Sequence, residues 1–454
     1  MSLLAAHIND AGISVLDSNR ILYREPGFVL LEDNELLTGK MAYAQSREKP
    51  RSIHNEYWSN LQTTSLADRR FHHLSAADLV SRQLEQIWQQ HGAGNELLVA
   101  VPAYMGTDNL GLFLGIASEL GVPIVALVDA AVAATRRQYK GGIPAHVDLS
   151  LHSATLTRIA QAGQAQVDRA EVIEGSGILA LYDAWISVIA EAFVQQSRFD
   201  PLHTAETEQA LHDCLPQWLA AASVGEKVVL QVEYRSIEHQ AEIESLELVA
   251  AAAPIYHNIV SNLRALFRAD ETPALQLSDR AARMPGLADT LTARVGGEVY
   301  LLEAGATSRG LLARCRDMKS GDSTLSLVRH LPWDQAAVEL KVEAAQAHSG
   351  QPTHVLFDNT AYAIDDQPLT LGSQPADTER WIDLQQDMPG VSRRHCSLQK
   401  ENGQCVVRDY SRYGTFLNGH RIDGSAVLQI GDRIRLGTPG FELRLIATES
   451  GRGS

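Results

Sequence analysis

The spacing of hydrophobic residues changes along this chain, and that change limits what it can fold into. Through residue 315, short apolar runs of strand length alternate with stretches at helical spacing. Beyond 353 only short strand-like runs remain, separated by Gly, Asp, Asn and Ser turns. The length of 454 residues suits roughly three domains or lobes.

Residues 1–47 predict antiparallel strands. Residues 74–91 predict a helix, with Leu79, Val80, Leu84 and Ile87 in register behind a candidate N-cap, Ser75. A buried strand is expected at 96–104, a helix at 107–120, a strand at 122–128 and a small-residue helix opened by Asp129. Such alternation predicts an α/β lobe. A second cycle begins at Ala145. Its expected strands cover 146–163 and 166–175, and its expected helices 178–195, around Trp185, and 203–223. Strands at 227–234 and 241–248, a helix at 249–268, and two further strand–helix pairs through 314 complete it. The expected organisation is a two-lobed α/β domain over 1–315, a linker over 316–352, an all-β module over 353–449 and a tail over 450–454.

Composition narrows the function. Lys and Arg total 39 against 55 Asp and Glu, a net charge of −16. A field of that sign repels phosphate backbones, which argues against general nucleic-acid binding. Cys214, Cys315, Cys396 and Cys405 form no CxxC pair and have no His at zinc-ligand spacing, so reduced thiols and no metal site are expected. A two-residue Asn402-Gly403 turn would pair 405 with 400, so Cys396 and Cys405 would not face each other. The N-terminus lacks the basic segment of a signal peptide, and Glu119, Pro123 and Asp129 interrupt the most apolar stretch, 111–134. The expectation is a cytoplasmic protein without a membrane span.

The C-terminal region carries the most specific motifs. Residues 371–373 read LGS, 392–395 read SRRH, 409–419 read DYSRYGTFLNG and 431–437 read GDRIRLG. In this order and spacing they resemble a forkhead-associated domain over about 355–447. The resemblance implies a β-sandwich that binds phosphothreonine peptides with loops at one end. A phosphate needs converging donors, and arginine supplies a planar fork of them. The resemblance places Ser373, Ser392, Arg393, Arg394, Arg412 and Tyr413 at the peptide. It assigns supporting roles to Gly372, His395, Thr415, Asn418 and Gly419. Two positions depart from the pattern. Gly372 is followed by Ser373 where the family has Arg, and Tyr413 stands where the family has Asn. Arg393, Arg394, Arg408 and Arg412 are candidates to compensate. Docking with and without phosphate both stay open.

The region 1–315 resembles the actin-like ATPase domain of DnaK-type chaperones. The resemblance rests on ELLVAVPAY, VPIVALVDAAVAAT, HVDLSLHSATLTRI, LQLSDRAARMPGL and EAGATSRGLLA, in the order that family uses. It implies an ATP/Mg²⁺ site cradled by two glycine-rich hairpins. At the first hairpin this chain has Asn9 and Asp10. At the second, Asp148 remains, and Ser150, Leu151 and His152 replace glycines. Asp279-Arg280 replaces the Gly-Gly of the adenosine loop, Asp129 stands where the family has Glu, and 54–62 contains no Lys. Asn9, Asp10, Asp129, Asp148 and Arg280 are therefore read as remnants of a nucleotide site. No cofactor is expected, and ATP/Mg²⁺ binding is the alternative.

Other chemistry finds little footing. His72-His73 lacks a third ligand, and no GxSxG, HExxH or Walker loop occurs. The combined expectation is a cytoplasmic, bacterial, non-catalytic scaffold or adaptor. Its C-terminal module would dock a protein partner, phosphorylated on threonine or not. The alternative is an ATP-binding switch whose closure regulates that docking.

Overall fold

The computed structural model describes residues 3–18, 20–32, 35–268, 271–318, 325–340, 351–357, 360–374, 380–384, 391–418, 420–429, 432–437 and 441–446. The chain divides into two compact units, one of residues 1–267 and 272–340, the other of 268–271 and 341–454.

The first unit contains two six-stranded sheets with one plan. In the first sheet, β1 (Leu3–His7), β2 (Ile13–Leu16) and β3 (Ile21–Glu25) form an antiparallel meander. On the other side of β1, β4 (Glu96–Val101) and β5 (Ile124–Asp129) add in parallel. In the second sheet, β6 (Ile143–Leu149), β7 (Ser153–Ala160) and β8 (Ala165–Glu174) form the meander. There β9 (Pro273–Leu277) and β10 (Glu298–Leu301) add in parallel beside β6. Parallel neighbours need crossover connections, and helices supply them.

Helix α1 (Ala76–His91) begins at a capping box. Ser75 Oγ accepts from the Asp78 N–H at 3.3 Å, and Asp78 Oδ2 accepts from the Ser75 N–H at 2.7 Å. Its buried face includes Leu79, Val80, Leu84 and Ile87, together with one amide, Gln83. Gln83 Oε1 accepts from Tyr57 Oη at 2.6 Å and Trp58 Nε1 at 2.7 Å, so its polar atoms are satisfied in the core. Helix α2 (Thr107–Glu119) carries the chain from β4 to β5, and α3 (Ala130–Ala134) follows β5.

The second sheet packs against α4 (Ile178–Ser197), α5 (Ala205–Ala222) and α6 (Ser245–Ala265). Helix α4 is long and apolar enough to cross a membrane by length and composition alone. Its residues Leu181, Trp185, Ile189 and Phe193 are buried in the core of this unit, and Trp185 Nε1 donates to Leu248 O at 2.8 Å. Short helices α7 (Asp279–Ala282), α8 (Leu287–Val295) and α9 (Ala306–Ala313) complete the unit. Small residues let α9 approach α3 closely: a Cβ on Gly310 would lie 1.9 Å from Ala133 O.

Two expectations are corrected. Residues 241–248 are not one strand: a hairpin pairs 227–234 with 237–244, and α6 starts at Ser245. Its turn residues Arg235 and Ser236 have φ of 51° and 62°, a region usually signalled by Gly or Asn. The expected linker over 316–352 also contains structure. Leu327–Val328 extends the first sheet beside β5, His330–Leu331 pairs with β8, and Val338–Glu339 pairs with Tyr139–Lys140. These pairings join residues about 165 to 200 positions apart, which local composition does not encode.

The second unit is a β-sandwich. One sheet runs in the order β12 (Thr360–Ala363), β11 (His354–Phe357), β21 (Phe441–Ile446), β20 (Arg433–Leu436), β17 (Thr415–Leu417), β18 (His420–Arg421). The other runs β14 (Arg380–Asp383), β13 (Leu369–Gly372), β15 (Cys396–Glu401), β16 (Gln404–Asp409), β19 (Ser425–Val427). Val355, Leu371, Leu398, Val407, Ile434 and Leu443 fill the space between them. Lys400 pairs with Cys405 across the Asn402-Gly403 turn, and both Cys396 and Cys405 are free thiols.

Candidate functional site

Three loops gather at one end of the sandwich, and the backbone explains how. Gly372 ends β13, and a Cβ there would lie 1.9 Å from Arg393 O, so only glycine admits the next loop this closely. The Ser373 and Gln374 N–H groups donate to Ser392 O and Arg393 O, both at 3.2 Å. Ser392 Oγ accepts from the Arg412 N–H at 3.0 Å, which ties the second loop to the third. That bond uses a lone pair and leaves the Ser392 hydroxyl proton available.

His395 is fully buried beneath these loops. Its Nδ1 accepts from the Ser392 N–H at 3.1 Å, and its Nε2 donates to Gly414 O at 3.2 Å. Burial lowers its pKa, so the neutral ring required by this donor–acceptor pattern is the favoured form. Asp409 Oδ1 accepts from the Ser411 N–H at 3.0 Å and from Thr415 Oγ1 at 2.8 Å. Asn418 Nδ2 donates to Asp432 Oδ1 at 2.7 Å, which holds the turn after β17. Gly419 lies outside the described residues.

Arg393, Arg394, Arg412 and Tyr413 are exposed around this scaffold. The Arg394 guanidinium lies over the Tyr410 ring, 4.4 Å from its centroid. Among the described residues, the side chains of Arg393 and Arg412 meet no carboxylate. Arg408 is a correction: it sits on β16 and pairs with Glu401 at 2.8 Å, so its charge is already committed.

The first unit has its own polar cluster where β1, β6 and α7 meet. Arg280 donates to both oxygens of Asp148, from Nε at 3.2 Å and from Nη2 at 2.9 Å. Asn9 Nδ2 adds a bond to Asp148 Oδ2 at 2.9 Å and one to Leu149 O at 3.1 Å. Burial pushes the Asp148 carboxyl up, but Arg280, with His7 and His146, outweighs it and holds the group well below the usual carboxylate range. Asp10 Oδ1 accepts from the Leu151 N–H at 2.8 Å, while its buried Oδ2 has no partner among the described residues. Burial raises the Asp10 pKa to about 6.

Sequence reasoning missed His7 and His146. Arg280 Nη2 approaches His7 Nδ1 at 3.5 Å. Burial, then Arg280, lowers the His7 pKa to about 3, so its 3.8 Å approach to Asp148 is not an ion pair. His7 stands two residues before Asn9 at the end of a strand; that parity was its only signal. The cavity beside His7 and Arg280 measures about 10 Å³, room for about one water.

The residues that follow Asp148 are also engaged. Ser150 Oγ exchanges hydrogen bonds with Ser153, Leu151 is buried beside Phe28 and Leu30, and His152 Nε2 lies 3.2 Å from Asn55 O. Asp129 serves a different purpose. Its Oδ1 accepts from the Ala131 N–H at 2.9 Å and caps α3.

Comparison with known families bears on the sandwich. Residues 369–437 match the FHA domain model, so this chain contains an FHA domain, a protein-interaction module. No curated protein matches the chain.

Proposed function

We propose that this protein is a non-catalytic adaptor that docks a phosphothreonine protein through its FHA domain. The carrying observation is the loop cluster: the Ser392 hydroxyl, which accepts from the Arg412 N–H, beside the exposed Arg393 and Arg412, whose side chains meet no carboxylate among the described residues. Ser392 donates to the phosphate, and Arg393 and Arg412 supply the charge that Ser373 does not. Arg394 and the exposed ring of Tyr413 border the peptide.

The N-terminal unit acts in this reading as a scaffold of actin-like descent. The shared order of its two sheets supports that descent. Three features argue against an ATP/Mg²⁺ site. Asp148 is consumed by Arg280, and Asn9 is bonded to the same carboxylate. The Leu151 amide, which a phosphate would use, donates to Asp10. No catalytic step is assigned.

Calorimetric titration of the full chain with phosphothreonine peptides and their unphosphorylated forms tests the proposal. Phosphorylated peptides are expected to bind, and Ser392→Ala or the double variant R393A/R412A to weaken them by about ten-fold or more, the worth of a charge-assisted hydrogen bond. Equal affinity for both peptide forms would overturn the phosphate-dependent reading. The same instrument should record no heat with Mg-ATP.

A further inference from the structure

The hairpin that pairs 227–234 with 237–244 is a two-stranded sheet of its own, so each strand has an outer side. Its two-residue turn, Arg235-Ser236, makes Tyr234 and Ile237 a hydrogen-bonded pair, and such pairs recur at every second residue. The N–H and C=O groups of Lys227, Val229, Gln231 and Glu233 therefore point away from the partner strand, as do those of Glu242 on the other side. The Glu242 side is managed. Gln196 on α4 donates from Nε2 to Glu242 O at 2.7 Å and accepts from the Glu242 N–H at 2.8 Å, as a neighbouring strand would. On the opposite side, among the described residues, no bond from outside the hairpin reaches the backbone of Val229, Gln231 or Glu233.

An open edge of this length is a template for a further strand. Val228, Leu230 and Val232 are buried, so the exposed face of the edge reads Lys227, Val229, Gln231, Glu233. A cation stands at one end and an anion at the other. A uniformly basic strand would meet Lys227, and a uniformly acidic one Glu233, as a like charge. The edge is instead complementary to itself. In an antiparallel pair about a two-fold axis at Leu230, Lys227 of each copy stands opposite Glu233 of the other, and Val229 opposite Gln231. Shifting the register one way sets Lys227 opposite Arg235; shifting it the other way sets Glu233 opposite Gly225 and leaves its charge unmatched. Lys227 also meets Glu242 at 2.8 Å within its own hairpin, an exposed pair that leaves further ammonium protons for a second carboxylate.

We propose that a second copy of this chain docks on this edge, joining two hairpins into a four-stranded sheet about a two-fold axis. The pair carries two FHA domains, which gives the adaptor two docking modules.

Sedimentation equilibrium of the full chain across a concentration series tests the proposal. The parent is expected to pass from one-chain to two-chain mass as concentration rises. Lys227→Glu or Glu233→Lys alone sets like charges opposite each other twice and should weaken the pair by about ten-fold. An equimolar mixture of the two variants should recover an affinity near the parent's, because each supplies the charge the other lacks. Val229→Pro removes an outward N–H without touching the hairpin's own ladder, and should also weaken the pair. A one-chain mass throughout a series reaching about 100 μM, where a micromolar pair would be nearly complete, would overturn the proposal. So would a dimer that all three variants leave unchanged, because it would form through another face. A mixture no stronger than either variant alone would overturn the two-fold register. Binding of a lysine-rich peptide to a one-chain parent, lost in V229P, would overturn the second copy in favour of a partner's strand.

Discussion

At Asp10 a carboxyl is buried with one oxygen unpaired among the described residues, and the consequence is a pH dependence of known sign. Its folded pKa of about 6 lies above the ordinary value of 3.8 for an aspartate in water. The folded state therefore holds the proton more tightly, and stability is lost as pH rises from about 4 through 6. The loss is on the order of 3 kcal/mol. Asp10→Asn keeps the acceptor for Leu151 and cannot ionise. It should melt higher than the parent at pH 8, by several degrees, and the difference should close below about pH 4. His7 works in the opposite direction: its lowered pKa withdraws stability as pH falls below 6.5. Comparing the two proteins at each pH isolates Asp10. A parent and variant with parallel profiles would contradict this account.

Among the elements, α1 shows what local sequence can specify. Its apolar spacing and its Ser75 cap both act within one or two turns. The structure starts the helix at Ala76 with Ser75 and Asp78 closing the capping box. Ser75→Ala removes one half of that box and should cost about 1 kcal/mol, read as a shift of the urea midpoint at unchanged slope. The 227–244 hairpin shows the converse. Arg235 and Ser236 occupy positive φ without the residues that usually announce it, so the second strand was displaced by four residues in the sequence reading. The strands at 327–340 were missed for a related reason. Each is two residues long and exists only because an edge of a sheet was available to pair with it.

The whole molecule brings together groups that are remote along the chain. Asn9 reaches Asp148 across 139 positions, and Arg280 reaches it across 132. The Asn9 bond ties the end of the first sheet to the second, while Arg280 reaches Asp148 from the helix that follows β9 of the same sheet. Truncating Arg280 to Ala would leave a buried carboxylate without its cation, at a cost of about 3–5 kcal/mol. The thermal transition of the N-terminal unit should fall accordingly. Phosphopeptide affinity should stay at the parent value, because the FHA loops are built entirely within the second unit. A loss of peptide binding in R280A would show that the two units do not act independently.

The sequence by itself determined the parts that depend on near neighbours. It specified the alternation of strands and helices through 315, the Asn402-Gly403 register, and the motif order of the FHA domain, whose residues lie within about 70 positions of one another. It also showed that 150–152 contain no glycine. Only the tertiary structure decided that Ser150 bonds Ser153 and that Leu151 is buried beside Phe28 and Leu30. Hydrogen bonds and ion pairs between distant strands depend on sheet pairing, which local propensity does not set. Arg280 could be listed from its position, but its bond to Asp148 and the protonation of His7 and Asp10 follow from burial and distance. Those are properties of the folded chain, because a group's charge state depends on the water it has lost and the charges it has met.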